Sequence, residues 1–406
     1  MEIRPLRPTE IPRFVELSYY AFNGRSPDNR STDFERRLDL EHQVLVLADG
    51  SEIISQVAIY TFDYWFNGVP FPAGGLANVA TVPERARQGH ANQLLRATIA
   101  WMREQLGVSI STLYPTIYPL YHQLGWEVAE EAYRLVGVPN AFRPSQLLPA
   151  DPGGRVVRRV AEITDVERLE PIYRAFAEPR SGYLVRPRWY WEDMVLRHSL
   201  ATQPRHLALW YGSNGQLGGY ALYSTEQLPE RRIQIYELLA LRPEGYHALL
   251  TFFAAHHLYK ELELTGGRDV AWLAMIADPH QLTITQRVRG HFLLRIVDFP
   301  QAISRRPARL LNPCAEITLA VSDSVAPWND GVWKISQNSG CWTCEPVSKS
   351  EPDAEVDIGA ASALFAGALS VRQAIDLGRL SAKVTALPTL EALFATTYPP
   401  HSNDHF

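Results

Sequence analysis

The 406-residue sequence predicts an α/β protein that ends in an α+β segment. Three observations lead there. Apolar strand-like runs alternate with amphipathic helices from the N-terminus onward. The same order restarts after a stretch rich in Pro, Gly and Asp, Pro139 to Gly154, which reads as a linker. The last third differs: strands around an Asn338–Gly340 turn come first, then helices. At roughly 100–200 residues per domain, a chain of this length holds two to four domains.

The elements follow in order. Ile3 to Leu6 alternates as a strand, and Glu10 to Phe22 spaces Ile11, Phe14, Val15 and Leu17 as a helix does. Gln43 to Ala48 and Ile53 to Phe62 are strands joined at the Asp49-Gly50 turn. Phe71 to Val82 is a strand stopped by Pro83, and Ala91 to Gln105 puts Leu94, Leu95, Thr98, Ile99 and Met102 on one helical face. Ser109 to Leu113 is a strand, Leu120 to Leu124 a short helix, and Glu127 to Val138 a further strand. The second segment opens with a strand, Val156 to Val160, and a helix, Asp165 to Phe176. Strands His206 to Tyr211, Gly219 to Glu226 and Arg232 to Leu241 and a helix Tyr246 to Leu258 follow. Tyr19-Tyr20-Ala21-Phe22 and Tyr173-Arg174-Ala175-Phe176 close the two opening helices, so the segments read as an internal duplication. In the third segment Leu293 to Val297, Ala315 to Val321, Gly331 to Ile335 and Gly340 to Pro346 are strand-like. Ser362 to Leu369, Val371 to Leu377 and Leu387 to Phe394 are helical.

Composition excludes several functions. A net charge of -5 and a pI near 6.2 give no basic footprint for nucleic acid. No run of 18 apolar residues exists, so no membrane-spanning helix is expected. The opening MEIRPLRPTEI is strand-like rather than a basic-then-apolar leader, and three cysteines make no disulfide framework; a cytoplasmic protein is expected. Cys341 and Cys344 form a Cys-x-x-Cys pair, but Cys314 is the only other cysteine and no His cluster completes a ligand set, so no metal is expected.

Leu76 to Trp101, LANVATVPERARQGHANQLLRATIAW, carries the chemistry. A strand ends at Val82, Arg85 to Gly89 turn, and His90, Ala91 and Asn92 open a helix. A helix N-terminus holds unpaired N–H groups and partial positive charge, and so cradles a diphosphate. Gly89 and Ala91 are small enough for close approach, and Arg85 and Arg87 add charge. Neither a P-loop nor a G-x-G-x-x-G fingerprint is present.

Ala86-Arg87-Gln88-Gly89-His90-Ala91 resembles the Gln/Arg-x-x-Gly-x-Gly/Ala cofactor loop of the GNAT acyl-CoA N-acyltransferases, departing from it at Ala86. Leu120-Tyr121-His122-Gln123-Leu124-Gly125-Trp126 resembles that family's aromatic motif after the fifth strand. The resemblance implies acetyl-CoA as co-substrate. Val79, Ala80, Thr81 and Val82 would hold the pantetheine, and Gln88, Gly89, His90, Ala91 and Asn92 would hold the pyrophosphate with Arg85 and Arg87. It also implies that Tyr121 protonates the leaving thiolate, with Tyr118 as rival donor.

Over nearly the whole chain the sequence resembles the Eis (enhanced intracellular survival) family. Arg295 to Pro300, Ala315 to Val321, Trp328-Asn329-Asp330-Gly331 and Leu364 to Gly367 carry that likeness. It implies a catalytic GNAT domain (1–138), a second, non-catalytic GNAT-like domain (139–290) and a sterol-carrier-protein-like domain (291–406). It further implies that the chain's C-terminus enters the first domain's site, where the carboxylate of Phe406 serves as base. Phe22, Asn23, Asp28 and Asp33 are candidates for binding an amine acceptor, either a polyamine- or aminoglycoside-like molecule or a protein lysine. Trp189, Tyr190 and Trp191 border such a pocket or belong to the core. In the second domain the matching loop is Leu241-Arg242-Pro243-Glu244-Gly245-Tyr246-His247, without a small-residue pair to open the helix. A homo-oligomer follows from the resemblance alone. The alternative function is a non-catalytic acyl-CoA or lipid sensor.

Overall fold

The computed structural model describes residues 1–22, 38–197, 204–226, 231–286, 292–308, 315–338, 340–348 and 351–405. The chain divides into two units: Met1–Tyr64, Val69–Ala129 and Phe292–Ala395 form the first, and Trp65–Gly68, Glu130–His291 and Thr396–Phe406 the second.

In the first unit the sheet runs in the order Glu2–Pro5, Val44–Asp49, Glu52–Phe66, Val69–Thr81, Ile110–Leu113, Leu293–Ile296 and Glu127–Val128. Residues Ala73 to Leu76 pair in parallel with Ile110 to Leu113. Val44, Val46 and Ala48 pack with Ile11, Phe14 and Val15 of the helix Ile11–Phe22, while Leu45 and Leu47 pack with Leu94, Leu95 and Ile99 of the helix His90–Glu104. Side chains alternate across a strand, so the two helices cover opposite faces. That is why the segment VLVLA is apolar at every position.

The same unit carries a smaller sheet in the order Cys341–Pro346, Gly331–Asn338, Glu316–Ser322, Ala354–Asp357 and Leu380–Ala382. The helix Ile358–Ala366 is buried on all sides. It begins earlier than the apolar spacing suggested because the Asp357 carboxylate accepts from the Ala360 N–H at 2.9 Å, and it stops at Gly367, whose φ of 87° is left-handed.

In the second unit the sheet order is Thr283–Gln286, Ala132–Gly137, Glu261–Gly267, Arg232–Ala240, Leu217–Glu226, His206–Tyr211 and Arg155–Val160. Val166–Ala177 and Pro243–Ala254 are its principal helices.

Several sequence expectations shift. The run Glu127 to Val138 is not one strand: Glu127–Val128 joins the first sheet and Ala132–Gly137 the second. The break lies where the Glu130 carboxylate turns inward to accept from the Ser402 N–H at 3.1 Å. Leu293–Ile296, grouped by sequence with the third segment, pairs antiparallel with Ile110–Leu113. A four-residue apolar run has no local partner, and that register buries all four of its side chains. The Pro139–Gly154 stretch is partly packed, for Ala141 and Phe142 are buried in a 3-10 turn Pro139–Phe142. The strands Ser181–Leu184, Glu261–Gly267 and Ala354–Asp357 went unforeseen, since Gly or charged residues interrupt their apolar pattern.

Candidate active site

The parallel register ends at Leu76 and Leu113, and the strand Val69–Thr81 continues alone past it. Asn78, at φ 53°, bends this extension. On its other side Ser55 Oγ donates to the Ala80 carbonyl at 3.0 Å, and the Val82 N–H donates to the Ile54 carbonyl at 2.9 Å. The strand therefore has one edge fixed where an extended ligand can pair along the other. Gly74 lets the next helix approach, since a Cβ there would stand 2.5 Å from Met102 Sδ.

A 3-10 turn, Pro83–Arg85, leads into the loop. Arg87, at φ 61°, and Gly89, at φ 85°, are both left-handed, and Gly89 is the N-cap of His90–Glu104. No side chain caps that end, so the first-turn amides of this 15-residue helix have no protein acceptor from the cap. Arg87, Gln88 and Gly89 are exposed there. Arg85 lies 3.6 Å from Asp49, an exposed pair that holds it only loosely. His90 is buried and faces Gln88 Oε1 at 3.3 Å; Asn92 accepts from Arg96 at 2.8 Å. All the loop residues named by the sequence thus gather at one corner.

Tyr121 sits in the short helix Tyr118–His122 and is 6% exposed. Its ring meets Trp126 edge-on at 6.2 Å, and burial pushes its hydroxyl up to about 12. Its carbonyl accepts from the N–H groups of Leu124 and Trp126, folding the motif into a tight turn through Gly125, at φ 91°. Trp126 in turn donates to Ser111, whose hydroxyl donates to the Gly74 carbonyl of the strand Val69–Thr81. Tyr118 has a different position. Its hydroxyl donates to Glu127 at 3.3 Å, and that carboxylate also takes His122 at 2.8 Å and Arg379 at 2.7 Å. Burial, then the Glu127 charge, push Tyr118 up to about 12.

Of the acceptor candidates, Phe22 is exposed at the end of its helix; Asn23, Asp28 and Asp33 lie outside the described residues, as does Phe406. Tyr190 and Trp191 are core residues: Trp191 stacks edge-on against Tyr173 at 5.3 Å. Cys341 is exposed and Cys344 half-buried on one strand; Cys314 lies outside the described residues. Among the described residues no cluster of His, Cys, Asp or Glu is placed to hold a metal ion.

In the second unit the helix Pro243–Ala254 carries Glu244 in its first turn, which pairs with Arg242 at 3.0 Å and so puts a carboxylate where the first unit leaves bare amides. The strands Arg232–Ala240 and Glu261–Gly267 pair in parallel only as far as Ile235 and Leu264. Beyond that point the chain's tail stands against both. Asn403 donates to the Tyr236 carbonyl at 2.7 Å, and a Cβ on Gly267 would lie 2.3 Å from the His401 ring. Asp404 accepts from buried Arg186 at 2.8 Å, Arg186 also grips Glu237, and Tyr190 donates to the His405 carbonyl at 2.7 Å. A cavity of about 580 Å³ lies beside these residues, lined by Arg186, Arg205, Glu237 and Asp404 among others. The sequence reading missed this cluster; a charged Arg186 between the apolar Tyr183-Leu184-Val185 and Pro187 was its only signal.

Comparison with known proteins identifies three domain families along the chain. Residues 2–129 match an acetyltransferase (GNAT) domain, residues 182–296 a second acetyltransferase (GNAT) domain, and residues 299–403 a sterol carrier protein domain. The chain is 25% identical over 362 residues to an uncharacterized N-acetyltransferase of Streptomyces griseus, spanning 84% of this chain and 83% of that one. It is 24% identical over 358 residues to N-acetyltransferase Eis of Mycobacterium tuberculosis, spanning 86% and 85% of the two chains. The chain carries two GNAT acetyltransferase domains and is similar to the Eis N-acetyltransferases over most of its length. The fold of this Eis-like protein matches a GCN5-related N-acetyltransferase from Anabaena variabilis with a TM-score of 0.86 at 22% identity, and Eis1 from Mycobacterium abscessus with 0.81 at 21%; each match covers 100% of both chains. No helix among the described residues is long and apolar enough to cross a membrane.

Proposed function

We propose that this acetyltransferase moves an acetyl group directly from acetyl-CoA to a primary amine, with Tyr121 as proton donor to the departing sulfur and the carboxylate of Phe406 as base. The observation that carries the reading is the uncapped N-terminus of His90–Glu104 beside a strand whose outer edge continues past its partner. The diphosphate would rest on the amides from Gly89 to Asn92, with Arg85 and Arg87 neutralising its charge. The pantetheine would pair along Val79 to Val82, which leads the thioester toward Tyr121.

The amine nitrogen attacks the thioester carbonyl carbon. The tetrahedral intermediate collapses, the C–S bond breaks, and the sulfur takes up a proton while the nitrogen gives one to the carboxylate. Tyr121 holds its proton throughout the physiological range, since burial raises it to about 12. A thiolate forming in the same apolar surroundings is made more basic by the same burial, which narrows the gap between donor and acceptor. Phe22, Asp28 and Asp33 are assigned to the acceptor, where acidic residues would attract an ammonium group. The second unit is assigned a scaffold role, supported by Glu244 at its helix end and by the tail against its diverging strands.

Replacement of Tyr121 by Phe should lower kcat by about a hundredfold while calorimetry finds acetyl-CoA affinity preserved; unchanged turnover would remove Tyr121 from the reaction. Residues appended after Phe406 should abolish transfer to an amine panel, read by CoA release, and full activity would refute the terminal base. Failure to bind acetyl-CoA at all would turn the assignment toward a carrier without catalysis.

A further inference from the structure

Arg295 is fully buried, and the proton-transfer scheme does not use it. It lies on the strand Leu293–Ile296, opposite Ser111. One arm of its guanidinium, Nη1, donates to the Leu124 carbonyl, and the other, Nη2, donates to Asp323 at 2.7 Å. Leu124 belongs to the turn that follows Tyr121, and its N–H donates back to the Tyr121 carbonyl at 2.9 Å. The guanidinium also lies 5.7 Å from the centre of the Trp126 ring, the ring against which Tyr121 packs. Gly125 is obligatory between them: a Cβ there would stand 2.0 Å from Arg295 Nη1, and its φ is 91°. Two contacts of Tyr121, the Leu124 N–H on its carbonyl and the Trp126 ring on its own ring, thus lead directly to one guanidinium.

Asp323 is equally committed. Its Oδ1 accepts from the N–H groups of Val325 and Ala326, each at 3.0 Å, and its Oδ2 takes Arg295 and Asn329 Nδ2. Asn329 Oδ1 accepts from the Phe299 N–H at 2.8 Å, at the start of a helix. A buried charge is tolerated only when paired and hydrogen-bonded, and here both Nη atoms of Arg295 and both oxygens of Asp323 are engaged around the turn, while Arg295 Nε has no partner. Asp323 and Asn329 lie in the part of the chain that matches a sterol carrier protein domain, not a GNAT domain.

We infer that Arg295 and Asp323 are positioning residues for Tyr121, and that the sterol-carrier-like segment contributes through them to acyl transfer rather than acting as a separate lipid carrier. The inference rests on Tyr121 being the proton donor. Arginine is required because a planar fork reaches a carbonyl and a carboxylate in two fixed directions, which the single ammonium of lysine cannot do.

The test is a double-mutant cycle on the full chain: wild type, Arg295→Lys, Tyr121→Phe and both together, with kcat, KM for acetyl-CoA and melting temperature measured for each. Arg295→Lys should lower kcat by about tenfold to a hundredfold with KM nearly unchanged, as a misplacement of an ångström at a reacting group does. In the Tyr121→Phe background the same change should cost no further turnover. An equal loss in both backgrounds, or wild-type kcat in Arg295→Lys, would overturn the positioning role while leaving Tyr121 as donor. Full turnover in Tyr121→Phe alone would end the donor assignment and this inference with it. Should Arg295→Lys fail to fold, Asp323→Asn serves in its place, because its amide oxygen still accepts from Val325 and Ala326; the same pattern of losses is expected and the same results would refute it.

Discussion

Tyr118 and Tyr121 stand one helical turn apart and are both held protonated, yet only one hydroxyl is committed to a neighbour. Tyr118 donates to Glu127, a carboxylate already taken by His122 and Arg379. Phe at position 118 should therefore change kcat by less than about threefold, against the hundredfold expected at Tyr121 for loss of a positioned proton donor; equal losses would reverse the assignment. The pH dependence has a definite sign. Burial raises Tyr121 from about 10 in the unfolded chain to about 12 in the fold. The neutral phenol is the favoured buried form, so its contribution to stability is complete below about pH 10 and is lost as pH rises toward 12. Melting temperatures should then fall more steeply over that interval in the wild type than in Tyr121→Phe, and Tyr121 should give kcat no descending alkaline limb below about pH 10.

At the scale of elements, the corner proposed for acetyl-CoA is a strand, a loop and a helix whose shape depends on Gly89. No atom lies within 4 Å of a Cβ built there, so a Cβ by itself would meet no protein. The backbone is the constraint: φ of 85° is costly for any other residue, by roughly 1–2 kcal/mol. Gly89→Val should lower unfolding free energy by about that amount and weaken acetyl-CoA binding by about tenfold or more, since its branches would crowd the amides. Denaturant unfolding and calorimetry measure the two effects separately. This corner was legible in the sequence because every part of it is local: the Pro83 stop, the Gly89-His90-Ala91 opening and the apolar spacing of the helix are contiguous. Glu127 to Val138 was misread for the opposite reason. Nothing in that run reveals that Glu130 is drawn inward by Ser402, far along the chain.

At the scale of the molecule, the buried charges show which distant segments the fold joins. Arg186 serves two carboxylates, Glu237 and Asp404, and all three are nearly inaccessible. Burial pushes Asp404 up, and the Arg186 charge opposes that shift. Arg186→Met would leave Glu237 and Asp404 buried without the cation that pairs with both, a loss of about 3–5 kcal/mol by the usual cost of breaking a buried pair. The loss should shrink as pH falls and Asp404 takes up its proton; a deficit independent of pH would show that packing, not charge, is what Arg186 supplies. The tail would be freed at the same time, and terminal residues should become open to carboxypeptidase.

The sequence alone determined the alternation of strands and helices, the strand–loop–helix corner at Gly89 and the order of the segments, because hydrophobic period, turn residues and the small-residue loop act over a few neighbouring positions. The tertiary structure alone decided that Leu293–Ile296 pairs with Ile110–Leu113, that Arg295 and Asp323 surround the Tyr121 turn, and that the tail rests on the strands of the second unit. Apart from Arg295 and Asp323, 28 positions apart, those contacts join residues more than about 160 positions apart. A buried ion pair leaves only isolated charges in apolar runs, such as Arg295 in FLLRIV, and these do not name their partners until the chain has folded.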